Sequence, residues 1–175
     1  MNKIKVAFLD RDGTIVKECD DNRWINRTKP EFLKNSVEAL KQMRKLNYHI
    51  IIITNQSLIN KGLIKIEEYK EFNENLIHEL NKNDIEILDI YYCPHTKEEN
   101  CDCEKPKPGM ILKACEKYNI DMDKSFVAGD SDSDRGIAEY FNLKFFGINY
   151  ISKDSKHIGI TNLLDIIEYI EWNRL

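Results

Sequence analysis

Apolar and polar positions along this chain follow two rhythms. Residues 4–9, IKVAFL, are a short apolar run that stops at Asp10, and HIIIITN at residues 49–55 is an unbroken apolar run that stops at Thr54 and Asn55. Runs of this length predict strands, the second of them buried on both faces. Between them Val37, Leu40, Met43 and Leu46 recur at helical spacing and predict a helix with one apolar side. The alternation continues. Tyr69, Phe72, Leu76 and Leu80 predict a second helix, EILDIYYC at 86–93 a third strand, and a helix is expected after Gly109 with Ile111, Leu112, Cys115 and Tyr118 on its inner side. SFVAGD at 125–130 reads as a short strand, 134–141 as a helix, KFFGIN at 144–149 as a last strand and LLDIIEYIEW at 163–172 as a closing helix.

Strands alternating with helices at this pitch imply right-handed crossovers and an α/β fold: a doubly wound, mostly parallel sheet with helices on both faces. In such sheets ligands bind beyond the carboxyl ends of the strands. Asp10, Thr54, Asn55 and Asp130 are therefore expected along one edge. The length of 175 residues suits one domain over 1–175, whose irregular stretches are 17–35 and 94–108.

Composition narrows the class. With 42% hydrophobic and 32% charged residues the chain is neither disordered nor membrane-spanning, its longest apolar runs falling far short of the roughly 20 residues that cross a bilayer. The start, MNKIKVAFLD, has no long apolar region or small-residue cleavage site and does not read as a signal peptide, so a cytoplasmic location is expected. A net charge of -4 argues against nucleic acid as a general partner. The expected state is a monomer acting on a small phosphorylated metabolite, without a membrane.

Two constellations carry chemistry. In VAFLDRDGTIV, residues 6–16, Asp10 and Asp12 are two apart at a strand end, where both carboxylates can lean towards one point as the chain turns at Gly13. Acids held so close repel unless a cation lies between them. With Asp130 and Asp134 arriving from another strand end, three or four carboxylates converge on a site suited to Mg²⁺, which is normally completed by a substrate phosphate. Taken singly, Asp12 and Gly13 are an ordinary turn signal, Thr54 and Asn55 a cap, and Asp130 with Asp134 a helix start, as is Asp132.

The second constellation is Cys93, His95, Cys101 and Cys103. Three thiols and an imidazole within residues 93–103 match a tetrahedral Cys₃His site for structural Zn²⁺, and the odd total of five cysteines suits a reducing compartment better than a disulfide framework. Free thiols, or Cys101 and Cys103 in redox chemistry, are the plainer alternatives. His49, His78 and His157 show no partner in the sequence, Cys115 reads as a small core residue and Cys19 as a loop thiol. Trp24 either closes the core or packs against a substrate.

DRDGT at 10–14, TN at 54–55, a lysine in CEKPKPGM and GDSDSD at 129–134 resemble, in order and spacing, the four motifs of the haloacid dehalogenase superfamily of phosphohydrolases. FLDRDGT, TNQS, YYCPH and CDCEKPKPGM resemble more closely the subgroup that holds D-glycero-D-manno-heptose 1,7-bisphosphate phosphatase and the histidinol-phosphatase domain. The resemblance implies Asp10 as nucleophile, forming an aspartyl-phosphate, and Asp12 as general acid and then base. It also implies Thr54 and Asn55 as donors to the phosphoryl oxygens, and Lys105, rather than Lys107, as the positive charge. Mg²⁺ would be held by Asp10, the carbonyl of Asp12 and Asp130. Arg11, Gln56, Ser57 and Glu104 flank these motifs and complete the expected substrate contacts.

Residues 12–36 leave only a loop, and 57–86 little more than one helix, so no separate cap domain is expected. The site should be open, screened by the Trp24 loop and the zinc loop. Two positions depart from the subgroup: Glu104 stands where the heptose enzymes carry an arginine that helps read the substrate, and Ser131 where a lysine follows the last-motif aspartate. KECDDNRWIN at 17–26 does not reproduce their substrate loop either. The expected function is a Mg²⁺-dependent phosphatase, a phosphoric monoester hydrolase, of a small sugar phosphate, with heptose phosphates first. Histidinol-phosphate phosphatase, polynucleotide 3'-phosphatase and a zinc-stabilised binding protein without catalysis are the competing readings.

Overall fold

The computed structural model describes residues 2–18, 28–150 and 157–173. Six strands, β1 (Lys5–Leu9), β2 (Tyr48–Asn55), β3 (Ile87–Cys93), β4 (Phe126–Gly129), β5 (Lys144–Ile148) and β6 (His157–Ile160), form one sheet in the order β3-β2-β1-β4-β5-β6. Every pairing is parallel. The helices are α1 (Ser36–Lys45), α2 (Ile66–Asn81), α3 (Gly109–Lys117), α4 (Asp132–Tyr140) and α5 (Leu164–Asn173).

Strand alternation splits the core in two. Ala7, Leu9, Ile50 and Ile52 point to the face covered by Leu40 and Met43 of α1, Phe72 and Leu76 of α2 and Ile166 of α5. Val6, Phe8, Ile51 and Ile53 point to the other, covered by Met110 and Ile111 of α3 and Ile137 of α4. This is why β1 and β2 read as continuous apolar runs: both of their faces are buried.

From β1 the chain builds outward through β2 to β3, then returns to place β4 on the other side of β1. The order reverses between β1 and β4, and in a parallel sheet such a reversal opens a crevice beyond the carboxyl ends. Asp10 and Asp130 follow those two strands directly. Between β2 and β3 the chain adds only a turn and α2, and around 12–36 the described residues form a turn and a pairing of Val16 with Phe32. No cap domain covers the crevice among the described residues.

Three elements differ from the sequence reading. KFFGIN is not the last strand: β6 pairs in parallel with β5, and His157, 9% exposed against the Phe145 ring, begins it rather than lying in a polar loop. Leu112 is 45% exposed, because a helix starting at Gly109 turns Met110, Ile111 and Ala114 inward and Leu112 away. α4 begins two residues early, at Asp132, because Ser131 caps it. Cys19, Arg23 and Trp24 lie outside the described residues. No helix among the described residues is long and apolar enough to cross a membrane.

Candidate active site

Asp10 leaves β1 with its backbone N–H donating to the carbonyl of Ala128 in β4, 2.9 Å away, so the first acid is tied across the switch point. Three residues on, Gly13 takes φ 82°, and a Cβ there would overlap the Asp130 carboxylate. Only glycine allows the β1 turn to close on Asp130. At Gly129 a Cβ would overlap the Asp134 side chain in the same way.

Lys105 reaches this cluster from the loop between β3 and α3. Its Nζ donates to Asp10 Oδ1 at 2.6 Å, Asp134 Oδ1 at 2.6 Å and the Ile53 carbonyl at 2.8 Å, which uses all three of its hydrogens. Burial alone would lower its pKa, but Asp10 and Asp134 outweigh that and hold the ammonium above its usual range. Asp134 is fully buried, and its Oδ2 accepts from the backbone N–H and hydroxyl of Ser131, at 3.2 and 2.5 Å. With Oδ1 on Lys105 and Oδ2 on Ser131, Asp134 supports the lysine from beneath the site.

Charge in the crevice does not balance. Burial, with Asp134 adding to it, pushes the Asp10 carboxyl up to about 8 even against Lys105, and burial with Asp134 and Glu18 pushes Asp130 up to about 6. Fully ionised, Asp10, Asp130 and Asp134 would bring three negative charges to within 4.8 Å of one another against one ammonium. The hard oxygens of Asp10 and Asp130, with two uncompensated charges, fit a divalent cation of the Mg²⁺ kind.

Asp12 faces the same crevice, its side chain 16% exposed. Its Oδ2 accepts from Arg11 Nη2 at 2.7 Å, Arg11 Nε at 3.1 Å and Gln56 Nε2 at 2.8 Å. The same Gln56 nitrogen lies 2.8 Å from Thr54 Oγ1, so the Thr54 oxygen is an acceptor there and its hydroxyl hydrogen is left to donate.

Two expected substrate contacts turn out otherwise. Arg11 is fully buried beneath Asp12, with Nη1 on Asn73 Oδ1 of α2 at 2.8 Å, so its guanidinium presents no surface to a substrate. The Asn55 amide clamps the backbone of Lys105 instead of pointing both hydrogens outward: Nδ2 donates to the Lys105 carbonyl at 3.2 Å and Oδ1 accepts its N–H at 2.9 Å. Ser57 and Glu104 are partly exposed. Lys107 turns away, its Nζ on Asn100 Oδ1 and the Cys101 carbonyl. Asn73 and the supporting role of Asp134 went unread. The spacing of Asp134 four residues after Asp130 was a signal for the second, but nothing in the sequence tied Asn73 to Arg11.

The four cysteine and histidine side chains meet. Cys93 Sγ is 3.4 Å from Cys101 Sγ and 3.5 Å from His95 Nδ1, Cys103 Sγ is 3.2 Å from His95 Nδ1 and 3.6 Å from Cys101 Sγ. A tetrahedron with Zn–S bonds of about 2.3 Å has S···S edges of roughly 3.7 Å, so this set fits zinc. Cys93 ends β3, and Cys103 stands two residues before Lys105, so the cluster anchors the loop that delivers the lysine.

A doubly wound parallel sheet with an acid pair, a threonine hydroxyl, a buried lysine and a further acid at its switch point defines a phosphatase of the haloacid dehalogenase type, a phosphoric monoester hydrolase. Residues 5–156 match the family described as polynucleotide kinase 3 phosphatase. D-glycero-alpha-D-manno-heptose-1,7-bisphosphate 7-phosphatase of Photorhabdus laumondii is 40% identical over 141 residues, covering 76% of this chain and 75% of that protein. D-glycero-beta-D-manno-heptose-1,7-bisphosphate 7-phosphatase of Helicobacter pylori strain J99 is 37% identical over 171 residues, covering 95% of this chain and 97% of that protein. The crystal structure of D,D-heptose 1,7-bisphosphate phosphatase from B. bronchiseptica, complexed with magnesium and phosphate, has the same fold, with a TM-score of 0.85 at 20% identity over 97% of this chain and 99% of that one. The chain belongs to this polynucleotide kinase 3 phosphatase family, within the haloacid dehalogenase superfamily, alongside the heptose-bisphosphate phosphatases.

Proposed function

We propose that this protein is a Mg²⁺-dependent phosphatase of a small sugar phosphate, a heptose phosphate or bisphosphate first, working through an aspartyl-phosphate on Asp10. The observation that carries the reading is the position of Lys105 Nζ, 2.6 Å from Asp10 Oδ1, beside an acid whose Oδ2 is already anchored, Asp12. Relatives named for the heptose 7-phosphatase reaction at 40% and 37% identity support the substrate class.

The residues divide the work. An Asp10 carboxylate oxygen forms a bond to phosphorus as the bond to the leaving alcohol breaks, and Asp12 gives its proton to that alcohol oxygen. Asp12 then takes a proton from water as the water oxygen bonds to phosphorus and Asp10 leaves. Lys105 and the Thr54 hydroxyl hold charge and hydrogen bonds where negative charge spreads over the phosphoryl oxygens. Asp10, Asp130 and the carbonyl of Asp12 would hold Mg²⁺, which supplies the positive charge that the crevice lacks.

In this reading residues 1–175 act as one phosphatase domain, with Cys93, His95, Cys101 and Cys103 holding structural Zn²⁺ in a loop at 93–103. It works as a cytoplasmic monomer on a free metabolite. Ser57 and Glu104, both partly exposed, would meet the part of the substrate beyond the phosphate. A phosphate-release panel over sugar phosphates, with and without Mg²⁺, tests the class and the substrate together. Asp10→Asn is expected to abolish turnover while unfolding cooperatively like the unmodified protein. Robust phosphate release by that variant would overturn the covalent mechanism.

A further inference from the structure

The edge of the sheet opposite the active site holds space and charge that phosphate hydrolysis does not use. β2, β4 and β5 begin there with Tyr48, Phe126 and Lys144, and a cavity of about 490 Å³ opens between these strand starts, the turn at 122–125 and Ile170 of α5. Its walls are mostly apolar, formed by Tyr48, Met122, Phe126, Leu143 and Ile170. The Tyr48 and Phe126 rings meet edge to face with centroids 5.2 Å apart, which holds that wall in one arrangement. Lys144 at the margin is already engaged, its Nζ donating to the Tyr169 hydroxyl at 2.9 Å.

A second cleft, of about 320 Å³, adjoins the cavity through Lys124, which lines both. Lys3 and Lys5, at the start of β1, line the cleft as well, and Asp121 is the one acid in its lining among the described residues. The turn that carries Lys124 is laced to β1, the Asp121 N–H donating to the Ile4 carbonyl at 2.7 Å. Lys124 is thereby set beside Lys5. Neither charge is well answered: Lys5 Nζ lies 4.3 Å from the Tyr48 ring centroid and has no carboxylate within 4 Å among the described residues, while Lys124, 70% exposed, has Asp121 alone at 3.7 Å. Burial, with Lys124 adding to it, presses the Lys5 ammonium below its usual pKa range. A cluster of like charges therefore stands in a chain whose net charge is -4.

Each half would be unselective by itself. Lysines at a surface attract any anion weakly, and an apolar hollow takes any greasy group, whereas an apolar pocket with a few charged groups at one end fixes both the class and the orientation of a ligand. We propose that cavity and cleft together form a second ligand site, for a small amphipathic monoanion whose acidic head lies between Lys5 and Lys124 and whose flat apolar body lies against Tyr48, Phe126 and Leu143. The head would relieve the repulsion between the two ammoniums, and the Tyr48 ring, touching Lys5 on one side and lining the cavity on the other, joins the two halves. This site is separate from the phosphate site. Phe126 begins β4 and Asp130 comes four residues later, about 13 Å away at the rise of a strand, so a ligand here leaves the crevice at Asp10 open.

The test uses three probes in calorimetric titrations of the full chain: 1-naphthylacetate, its neutral amide and acetate. 1-Naphthylacetate is expected to bind with a dissociation constant of about 1 mM or below, which a ligand of its size reaches at ordinary efficiency. The amide, with the same body and no charge, should bind about tenfold more weakly, and acetate, with the head alone, should give no saturable binding. Lys124→Gln and Lys5→Gln should each weaken 1-naphthylacetate about threefold and leave the amide unchanged, and the double variant should bring acid and amide together. Saturating inorganic phosphate with Mg²⁺ should not displace the probe. Equal affinity for acid and amide, affinity for the acid unaltered in both lysine variants, or no saturable binding of the acid would overturn the proposal. Displacement by phosphate would do so too, because it would assign the probe to the active site, and acetate binding as tightly as 1-naphthylacetate would remove the cavity from it.

Discussion

Lys105 and Asp134 form an ion pair, Nζ to Oδ1 at 2.6 Å, with side chains 2% and 0% exposed. The pair lies under the site, where Asp134 is also the residue that Ser131 holds at the start of α4. One carboxylate thus fixes both the lysine and the turn that carries Asp130.

Removing it should be felt twice. Breaking a buried pair by truncating one partner costs about 3–5 kcal/mol, because the remaining charge stays buried. For Asp134→Ala we expect the lower end, about 3 kcal/mol in urea unfolding, since Lys105 keeps Asp10 and the Ile53 carbonyl. Asp134→Asn retains an acceptor for Lys105 and should lose less than half as much. Turnover should fall in both, further in the alanine variant. Stability within about 0.5 kcal/mol of the unmodified protein for Asp134→Ala would show that the pair is not structural.

The raised carboxyls give a pH dependence with a defined sign. Asp10 and Asp130 lie at about 8 and about 6 in the folded protein, against a value of 3.8 when unperturbed. Between pH 3.8 and about 8 the folded protein holds protons that the unfolded chain has released. Without Mg²⁺, stability should therefore fall as pH rises through that window. Mg²⁺ favours the ionised acids and should raise Tm more at pH 8 than at pH 5. Thermal melts at the two pH values, with and without Mg²⁺, check this; an equal rise at both would contradict it.

Protein purified without chelator should carry about one Zn²⁺ per chain. Cys103 precedes Lys105 by two residues, so losing the metal should loosen the lysine's loop and lower turnover, while the need for Mg²⁺ remains. Cys101→Ser, combined with metal analysis by mass spectrometry, is the direct measurement. Zinc-free protein with full activity would separate the cluster from the site.

Glu104 should steer substrate choice. Glu104 directly precedes Lys105 in the chain and is partly exposed, and a carboxylate there offers acceptors, which suit hydroxyls and repel a second phosphate. We expect a heptose monophosphate to be preferred to the 1,7-bisphosphate. Glu104→Arg should shift the ratio of kcat/KM towards the bisphosphate about tenfold, which needs about 1.4 kcal/mol of differential transition-state binding. A preference for the bisphosphate in the unmodified protein, unchanged by the substitution, would assign that phosphate to another residue.

How the molecule came to be legible from its sequence varies from element to element. The central strands were plain because a strand buried on both faces must be apolar at every position, as Ile50, Ile51, Ile52 and Ile53 are. Asp10, Thr54 and Asp130 were plain because a parallel sheet puts strand ends on one edge, and acids directly after apolar runs have few other reasons to be there. The cysteine cluster needed only spacing, since its four ligands lie within eleven consecutive residues, 93–103.

Tertiary structure decided whatever depends on a partner far along the chain. β6 was hidden because HIGI is short and begins with a histidine, and it becomes a strand only by pairing with β5. Arg11 was expected among the substrate contacts because it flanks the first motif, yet its guanidinium is buried and donates to Asn73, 62 positions away. Asn55 turned from the phosphoryl site to the backbone of Lys105, 50 positions away. Local pattern fixes which residues bear charge and where strands stop; which of those charges meets solvent, and which is spent holding another in place, is settled by groups that only folding brings within about 3 Å.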